Sequence, residues 1–347
     1  MSPGSPNTLR VKPLHRLAAI AKRMGLDYFL LLLLLMISLA YLKPELGEEN
    51  GPLPLGAITT YGVSLIFFFY GLRLSPAKLK AGLTDWRLHV VVQLSTFHLF
   101  PALVFLASLL WPGGRENLLW LGVFFVAALP STVSSSVVMV SIAGGNIPAA
   151  IFNASISSLI GVFMTPLWMG LFMSASASAD LELGEVMGKL IVQVVVPVLL
   201  GVLLNARFGH FAEAHKSRLR LFDQAIILLI VYSSFCDSFA QDMFSGFTPL
   251  RLLLLGGAMV GLFFLVMAII YGLSNWLGFS RENRITAMFC GSKKSLVHGT
   301  VMAKVIFPEA DVVGIILLPL MLYHALQLIA ASVLAQRMAL KTSSSVS

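Results

Sequence analysis

The sequence has 347 residues, of which 57% are hydrophobic and only 12% charged, with a mean hydropathy of +0.87, against about 25% charged in an ordinary soluble domain. This composition excludes a soluble globular protein and describes an all-α, polytopic membrane protein. The net charge of +8 comes from basic residues in short stretches beside apolar segments, as in cytoplasmic flanks, so it gives no support to nucleic-acid binding.

With about 20 residues needed to span a bilayer, ten helices are predicted in chain order: 25–42, 53–72, 88–110, 118–143, 146–173, 184–207, 221–240, 250–277, 283–306 and 312–336. The first follows Lys22 and Arg23 as a signal peptide would, but no small-residue cleavage site follows it, so it reads as a retained span. Lys and Arg then set the orientation. Arg10 to Arg23, Arg73 to Arg87, Arg207 to Arg220, Arg281 with Arg284, and Arg337 with Lys341 alternate with acidic loops holding Glu45, Glu116, Asp180, Asp242 and Glu309. Both termini are therefore expected in the cytoplasm, with 1–23 and 337–347 as tails, and short loops suit an inner (cell) membrane.

Two predicted spans are interrupted near their centres. The fourth carries Pro130-Ser-Thr-Val-Ser-Ser-Ser136 and the ninth Cys290-Gly-Ser-Lys-Lys-Ser295. Broken helices in corresponding positions of two halves are the sequence mark of secondary transporters, because unwound backbone and helix ends supply ligands for ions and polar solutes. Five plus five helices, 24–173 and 184–336, would form two inverted repeats within a single transmembrane domain. Ser131, Thr132, Ser134, Ser135 and Ser136 on one break, with Cys290, Ser292, Lys293, Lys294 and Ser295 on the other, are the candidate substrate or ion site. His298 lies one turn beyond Lys294. A charged Lys at a helix centre costs about 2.5–3.5 kcal/mol on insertion scales, so Lys293 and Lys294 are expected to face the polar interior.

The runs Leu129-Pro-Ser-Thr-Val-Ser-Ser-Ser-Val-Val-Met139, Gly144-Gly-Asn-Ile-Pro148, Cys290-Gly-Ser-Lys-Lys-Ser-Leu-Val-His-Gly299 and Phe69-Tyr-Gly-Leu-Arg-Leu-Ser75 resemble the bile acid:sodium symporter family. They are most similar to its divergent branch, solute carrier family ten member seven and related bacterial symporters. The resemblance runs from about residue 20 to 336. It implies a panel domain and a core domain, with the fourth and ninth helices crossing inside the core. It also implies ligands near Asn153 and Ser155 on the fifth helix and at Gln93 or Thr96 on the third. The sequence departs from the family where the characterised members place a Glu and, four and five residues on, a Gln-Asn pair. Here Cys290, Lys294 and Ser295 stand there.

A sodium ion close to an ammonium is repelled by several kcal/mol at an effective dielectric of about 20. Lys294 is therefore expected to act as a built-in cation, accepted by the hydroxyls of Ser131 to Ser136 and nearby carbonyls, with Lys293 turned toward substrate. The competing expectation is that both lysines only lock the crossing helices together. Packing is the expected role of Ser155, Ser157, Ser158 and Gly161, and of His298 and His324 as lone membrane histidines.

No nucleotide, zinc-protease or nucleophile-elbow motif is present, so no enzyme and no cofactor is expected. Cys236 and Cys290 have no metal or redox spacing. The function expected is secondary transport of a small organic anion, with sodium dependence altered or absent and proton coupling the other route. A non-transporting regulator of ion (calcium) homeostasis is the alternative, and a homo-oligomer is left open.

Overall fold

The computed structural model describes residues 28–48, 51–73, 85–110, 117–174, 188–189, 191–245, 247–307 and 310–344. Among them the ordered structure is helical, with no strand. The helices are α1 (Tyr28–Leu42), α2 (Leu55–Leu72), α3 (Trp86–Leu109), α4 (Leu118–Ala128), α5 (Ser134–Ala143), α6 (Ile147–Ser174), α7 (Ile191–Ala214), α8 (Lys216–Ala240), α9 (Pro249–Trp276), α10 (Arg281–Gly291), α11 (Leu296–Ile306) and α12 (Ala310–Ser344). Seven of these, α2, α3, α6, α7, α8, α9 and α12, are long and apolar enough to cross a membrane, and α1, α4 and α5 are shorter apolar helices. The chain is a multi-pass membrane protein.

α4 and α10 are 11 residues each, α5 is 10 and α11 is 11. At 1.5 Å per residue each covers roughly 16 Å, about half a hydrocarbon core. The interruptions expected in the fourth and ninth spans are therefore full breaks, at 129–133 and 292–295.

Two predicted boundaries are corrected. The sixth span, expected over 184–207, runs on to Ala214 while its expected start at 184–187 lies outside the described residues, and the supposed basic loop 207–220 is helix apart from His215. Long Lys and Arg stems tolerate a helix end by carrying their charge out to the polar region, so Arg207, Lys216, Arg218 and Arg220 need no loop. The last helix runs to Ser344 instead of stopping at 336. The tail 1–23, Lys78, Lys80, and the acids Glu116, Asp180, Glu182, Glu185 and Glu309 lie outside the described residues.

Two π-helical turns, Ser95–Leu99 in α3 and Ile191–Val195 in α7, each begin six residues before a proline, Pro101 and Pro197. A proline has no N–H to donate into the helix, and the extra residue of a π turn is one way to absorb that loss.

α7 packs along α2, and the contact is made by backbone. A Cβ on Gly71 would run into the Val198 carbonyl, and one on Gly201 into the Phe68 carbonyl. Small residues are what allow membrane helices to approach so closely. α8 packs against α1, α2 and α12, whereas α3, α4, α5, α6, α10 and α12 gather around the two breaks.

Gly201→Leu is expected to force α2 and α7 apart and to destabilise the protein by about 1–3 kcal/mol, read as a lower thermal midpoint of the detergent-purified chain. An unchanged midpoint would mean that the helices separate at no cost.

Candidate functional site

Pro130 initiates the first break. It has no N–H and drives the residue before it out of helix, and Leu129 is extended at φ −71°, ψ 154°. Gly161 on α6 makes room for the ring, since a Cβ there would stand 2.7 Å from Pro130 Cβ. Carbonyls that α4 can no longer pair must find donors inside the protein, because the hydrocarbon core offers none.

Each of them does. The Ala127 and Leu129 carbonyls accept from Lys294 Nζ at 2.7 and 2.8 Å, Ala128 accepts from Thr165 at 2.8 Å, and Pro130 accepts from the Ser295 N–H at 2.9 Å. The displaced Ser131 N–H donates to Ser157 Oγ at 2.9 Å.

Lys294 takes its third acceptor from α3. In the π turn the Phe100 N–H donates to Ser95, so the next donor in that pattern, to Thr96, would come from Pro101, which has none. The Thr96 carbonyl accepts from Lys294 Nζ at 2.7 Å instead, and Trp168 Nε1 donates to Phe97 O at 2.6 Å. The Phe100 ring lies beneath the ammonium, its centroid 4.2 Å away, adding a cation–π contact. Lys294 is fully buried. Three carbonyls match the three protons of an ammonium.

Of the acceptors expected, the nearby carbonyls hold Lys294 and the hydroxyls of the first break do not. Those are used elsewhere: Ser131 donates to Cys290 O at 2.6 Å and Ser136 to Phe289 O at 3.3 Å, while Thr132 shares hydrogen bonds with Ser135 and Ser136 at 2.7 and 2.8 Å. Both breaks are thereby sewn together.

Lys293, also fully buried, donates to Ser135 Oγ at 2.9 Å. Ser292 donates to Met288 O, and its carbonyl accepts from Tyr323. Ser295 caps α11 by accepting from the His298 N–H and contacts His298 Nδ1 at 3.0 Å.

Several other candidates make hydrogen bonds or ring contacts outside the Lys294 cluster, and of these Ser155 and His298 also line the adjoining cavity. Gln93 donates to the Asn153 carbonyl and side-chain oxygen at 3.1 and 3.3 Å. Asn153 and Ser155 bond back to their own helix at Ala149 and Ile151. Cys290 Sγ lies 4.0 Å from the Ala150 carbonyl. The ring of His298 meets the edges of Phe67 and Tyr70.

Sequence reasoning overlooked Pro101, Phe100 and Gln327. Gln327 on α12 accepts from the Lys294 N–H at 2.9 Å and donates to its carbonyl at 2.7 Å, fixing the main chain that aims the ammonium. A proline in mid-span was the available signal for Pro101; Gln327 offered none.

A cavity of about 710 Å³ opens beside this junction, with Thr132, Ser134, Ser135, Ser295 and His298 at its inner end. Ser135 is the hydroxyl that Lys293 reaches, so the buried lysine is linked to the cavity through it. The lining also holds the exposed Glu213, Lys216 and Arg220, which mark its mouth, and the more buried Arg73 and Asp223. Among the described residues no three His, Cys, Asp or Glu side chains assemble as a metal site.

Residues 27–340 match the SBF-like CPA transporter family. The chain belongs to that family. It is 40% identical over 314 residues to "Uncharacterized protein PA2026" of Pseudomonas aeruginosa, covering 90% of this chain and 93% of the other. It is 36% identical to "Putative symporter YfeH" of Escherichia coli, covering 90% and 92%. Against mouse "Sodium/bile acid cotransporter 7" the identity is 31%, covering 91% and 93%. The family places the broken helices and the cavity in a transporter.

Lys294→Met should leave three buried carbonyls without donors, at about 1–3 kcal/mol each, and lower the thermal midpoint sharply. Adding Pro101→Ala, which gives α3 back an N–H, should recover part of that loss. A double variant no more stable than Lys294→Met would show that the Thr96 carbonyl does not depend on the lysine.

Proposed function

We propose that this protein is a secondary active transporter of a small organic anion, working by alternating access, with the Lys294 ammonium standing where a relative would bind sodium. The observation that carries the reading is the set of three main-chain carbonyls around Lys294 Nζ, at 2.7–2.8 Å, where the two breaks meet. A monovalent cation ringed by main-chain oxygens at a helix discontinuity is the chemistry of a coupling-ion site. Here the cation is covalently attached. A second cation at about 4 Å would meet roughly 4 kcal/mol of repulsion at an effective dielectric of 20, so sodium does not fit among these ligands.

The sign of the substrate follows from the cavity. Lys293 acts through Ser135 at the inner end, and Arg73, Lys216 and Arg220 outnumber Asp223 and Glu213 along the lining. A volume of about 710 Å³ is within the roughly 300–1,000 Å³ range of small-molecule sites. Ser131, Thr132, Ser134, Ser135, Ser136 and Ser295 are assigned to the substrate and junction surface.

The architecture we assign is ten spans in two inverted five-helix repeats, the first expected over 24–173 and the second from 184 to the end of α12 at Ser344. α4–α5 and α10–α11 are the paired broken spans, each followed within four residues by a long helix, α6 or α12. In this reading α1, α2, α7 and α8 form the panel and the remaining helices the core, with both termini on the cytoplasmic side of the cell (inner) membrane. The cavity mouth lies at the basic end of the bundle, so the conformation faces inward.

Thermal stability of the purified protein against a panel of organic anions tests the reading, since a ligand of the native state raises its stability by mass action. The expected result is an anion that stabilises the wild type with or without sodium, and stabilises Lys294→Gln only when sodium is present. Stabilisation of the wild type by sodium alone would overturn the tethered-cation assignment.

A further inference from the structure

A second ionic contact lies in the same cavity, away from the broken helices. Arg73 follows the last turn of α2; its Nη2 donates to Asp223 Oδ2 of α8 at 3.0 Å and its Nε donates to the Phe69 carbonyl at 3.1 Å. Asp223 lines the cavity and is only 9% exposed. Its other oxygen, Oδ1, is buried with no hydrogen-bond partner. Buried polar atoms are overwhelmingly paired, and a carboxylate that serves only as a structural clamp has both oxygens available for bidentate pairing with an arginine. This one uses a single oxygen.

Arg73 is also the arginine of the cavity wall that sits beside the buried carboxylate. Its planar fork of N–H donors matches a carboxylate, sulfonate or phosphate. Resting against Asp223, it is already occupied by a carboxylate belonging to the protein.

We propose that Arg73 is an anion-binding group for the transported solute, that Asp223 fills its place in the resting state, and that the solute's acidic group displaces Asp223 as that carboxylate takes up one proton. The protein is then an anion–proton symporter, an inference that rests on the organic-anion transporter reading.

The charge count supplies the reason for the proton. Lys216 and Glu213 pair with each other and Arg220 is exposed to solvent, so at the buried pair one guanidinium faces one carboxylate before binding. An anion arriving alone would leave two negative charges against one positive in a largely desolvated wall, and an unpaired buried charge is expensive. With one proton on Asp223 Oδ1, the site again holds one positive and one negative charge. The O–H formed there has become a donor and turns the orphaned oxygen into a second hydrogen bond to the solute. The step moves one proton from solvent to Oδ1, breaks the Arg73–Asp223 ion pair and forms an Arg73–anion pair.

The other titratable groups facing this wall are Tyr70 on α2, Glu213 on α7, Lys216 and Arg220 on α8, His298 on α11, His324 on α12, and Tyr28 of α1, which donates to Gln224 at 2.6 Å. Glu213 and Lys216 pair with each other at 3.2 Å with 48% and 64% of their side chains exposed. His298 is engaged with Ser295 and His324 with Gln327. Asp223 is the buried carboxylate in the lining.

The test titrates the full-length detergent-purified protein with benzoate, succinate and taurocholate across acidic to alkaline pH. It follows thermal stability, together with proton uptake in weakly buffered solution. For wild type the apparent Kd of a stabilising anion should rise about tenfold per pH unit on the alkaline side, with one proton taken up per anion bound. Asp223→Asn should bind without pH slope or proton uptake, Asp223→Glu should keep both, and Arg73→Gln should weaken binding by about tenfold or more at every pH. Wild-type binding with no slope and no proton uptake, or a slope that survives in Asp223→Asn, overturns the inference and leaves the transporter reading standing. Failure of every anion to stabilise wild type and all three variants at any pH overturns the transporter reading, and this inference with it.

Discussion

The structure depends on a constraint that the bilayer imposes on main-chain carbonyls. Where a helix stops in hydrocarbon its last carbonyls have no water to turn to, and leaving them bare costs several kcal/mol per group. In this protein Pro130 and Pro101 strip donors from α4 and α3 within reach of each other, and one long cationic side chain from a third segment supplies what both have lost. Lys294 is therefore held by the breaks, and the breaks are held open by Lys294.

The rest of the junction follows from this arrangement. Lys294 cannot be displaced sideways because Gln327 pins its own N–H and carbonyl. Its neighbour Lys293 is turned toward Ser135 and the cavity. At the basic end of the bundle, Asp85, Asn146 and Asn283 bind one another through side-chain amides and a carboxylate, and Gly144 turns the chain with a positive φ of 75°. The starts of α3, α6 and α10 are thus tied together, as the proposed core moving against α1, α2, α7 and α8 would require.

Much of this was written in the sequence. Mid-span prolines, serines and lysines are conspicuous in a chain with so few charged residues, so the two breaks and the burial of Lys293 and Lys294 follow from the cost of exposing them to lipid. That nearby carbonyls would hold Lys294 was legible, but not which ones, because a carbonyl has no side-chain signature. Which carbonyls are free depends on a π turn in α3 and on how three segments meet. The end of α7 was misread for a related reason: Arg207 to Arg220 looks like a loop when charge alone is read, although nothing in 201–214 stops a helix. Arg73 was legible as a topology marker and Asp223 not at all, since 150 residues separate them and only the fold brings them together.

A cation fixed to the polypeptide has an electrical consequence that a dissolved one lacks. A bound sodium ion that is released on the far side carries charge across the membrane, and each charge delivers about 2.3 kcal/mol per 100 mV to the cycle. In the proposed mechanism the ammonium of Lys294 travels with its helices and returns with them, so whatever work the field does on it in one half-cycle is given back in the other. The membrane potential can bias which way the protein faces, but through Lys294 it cannot concentrate a solute.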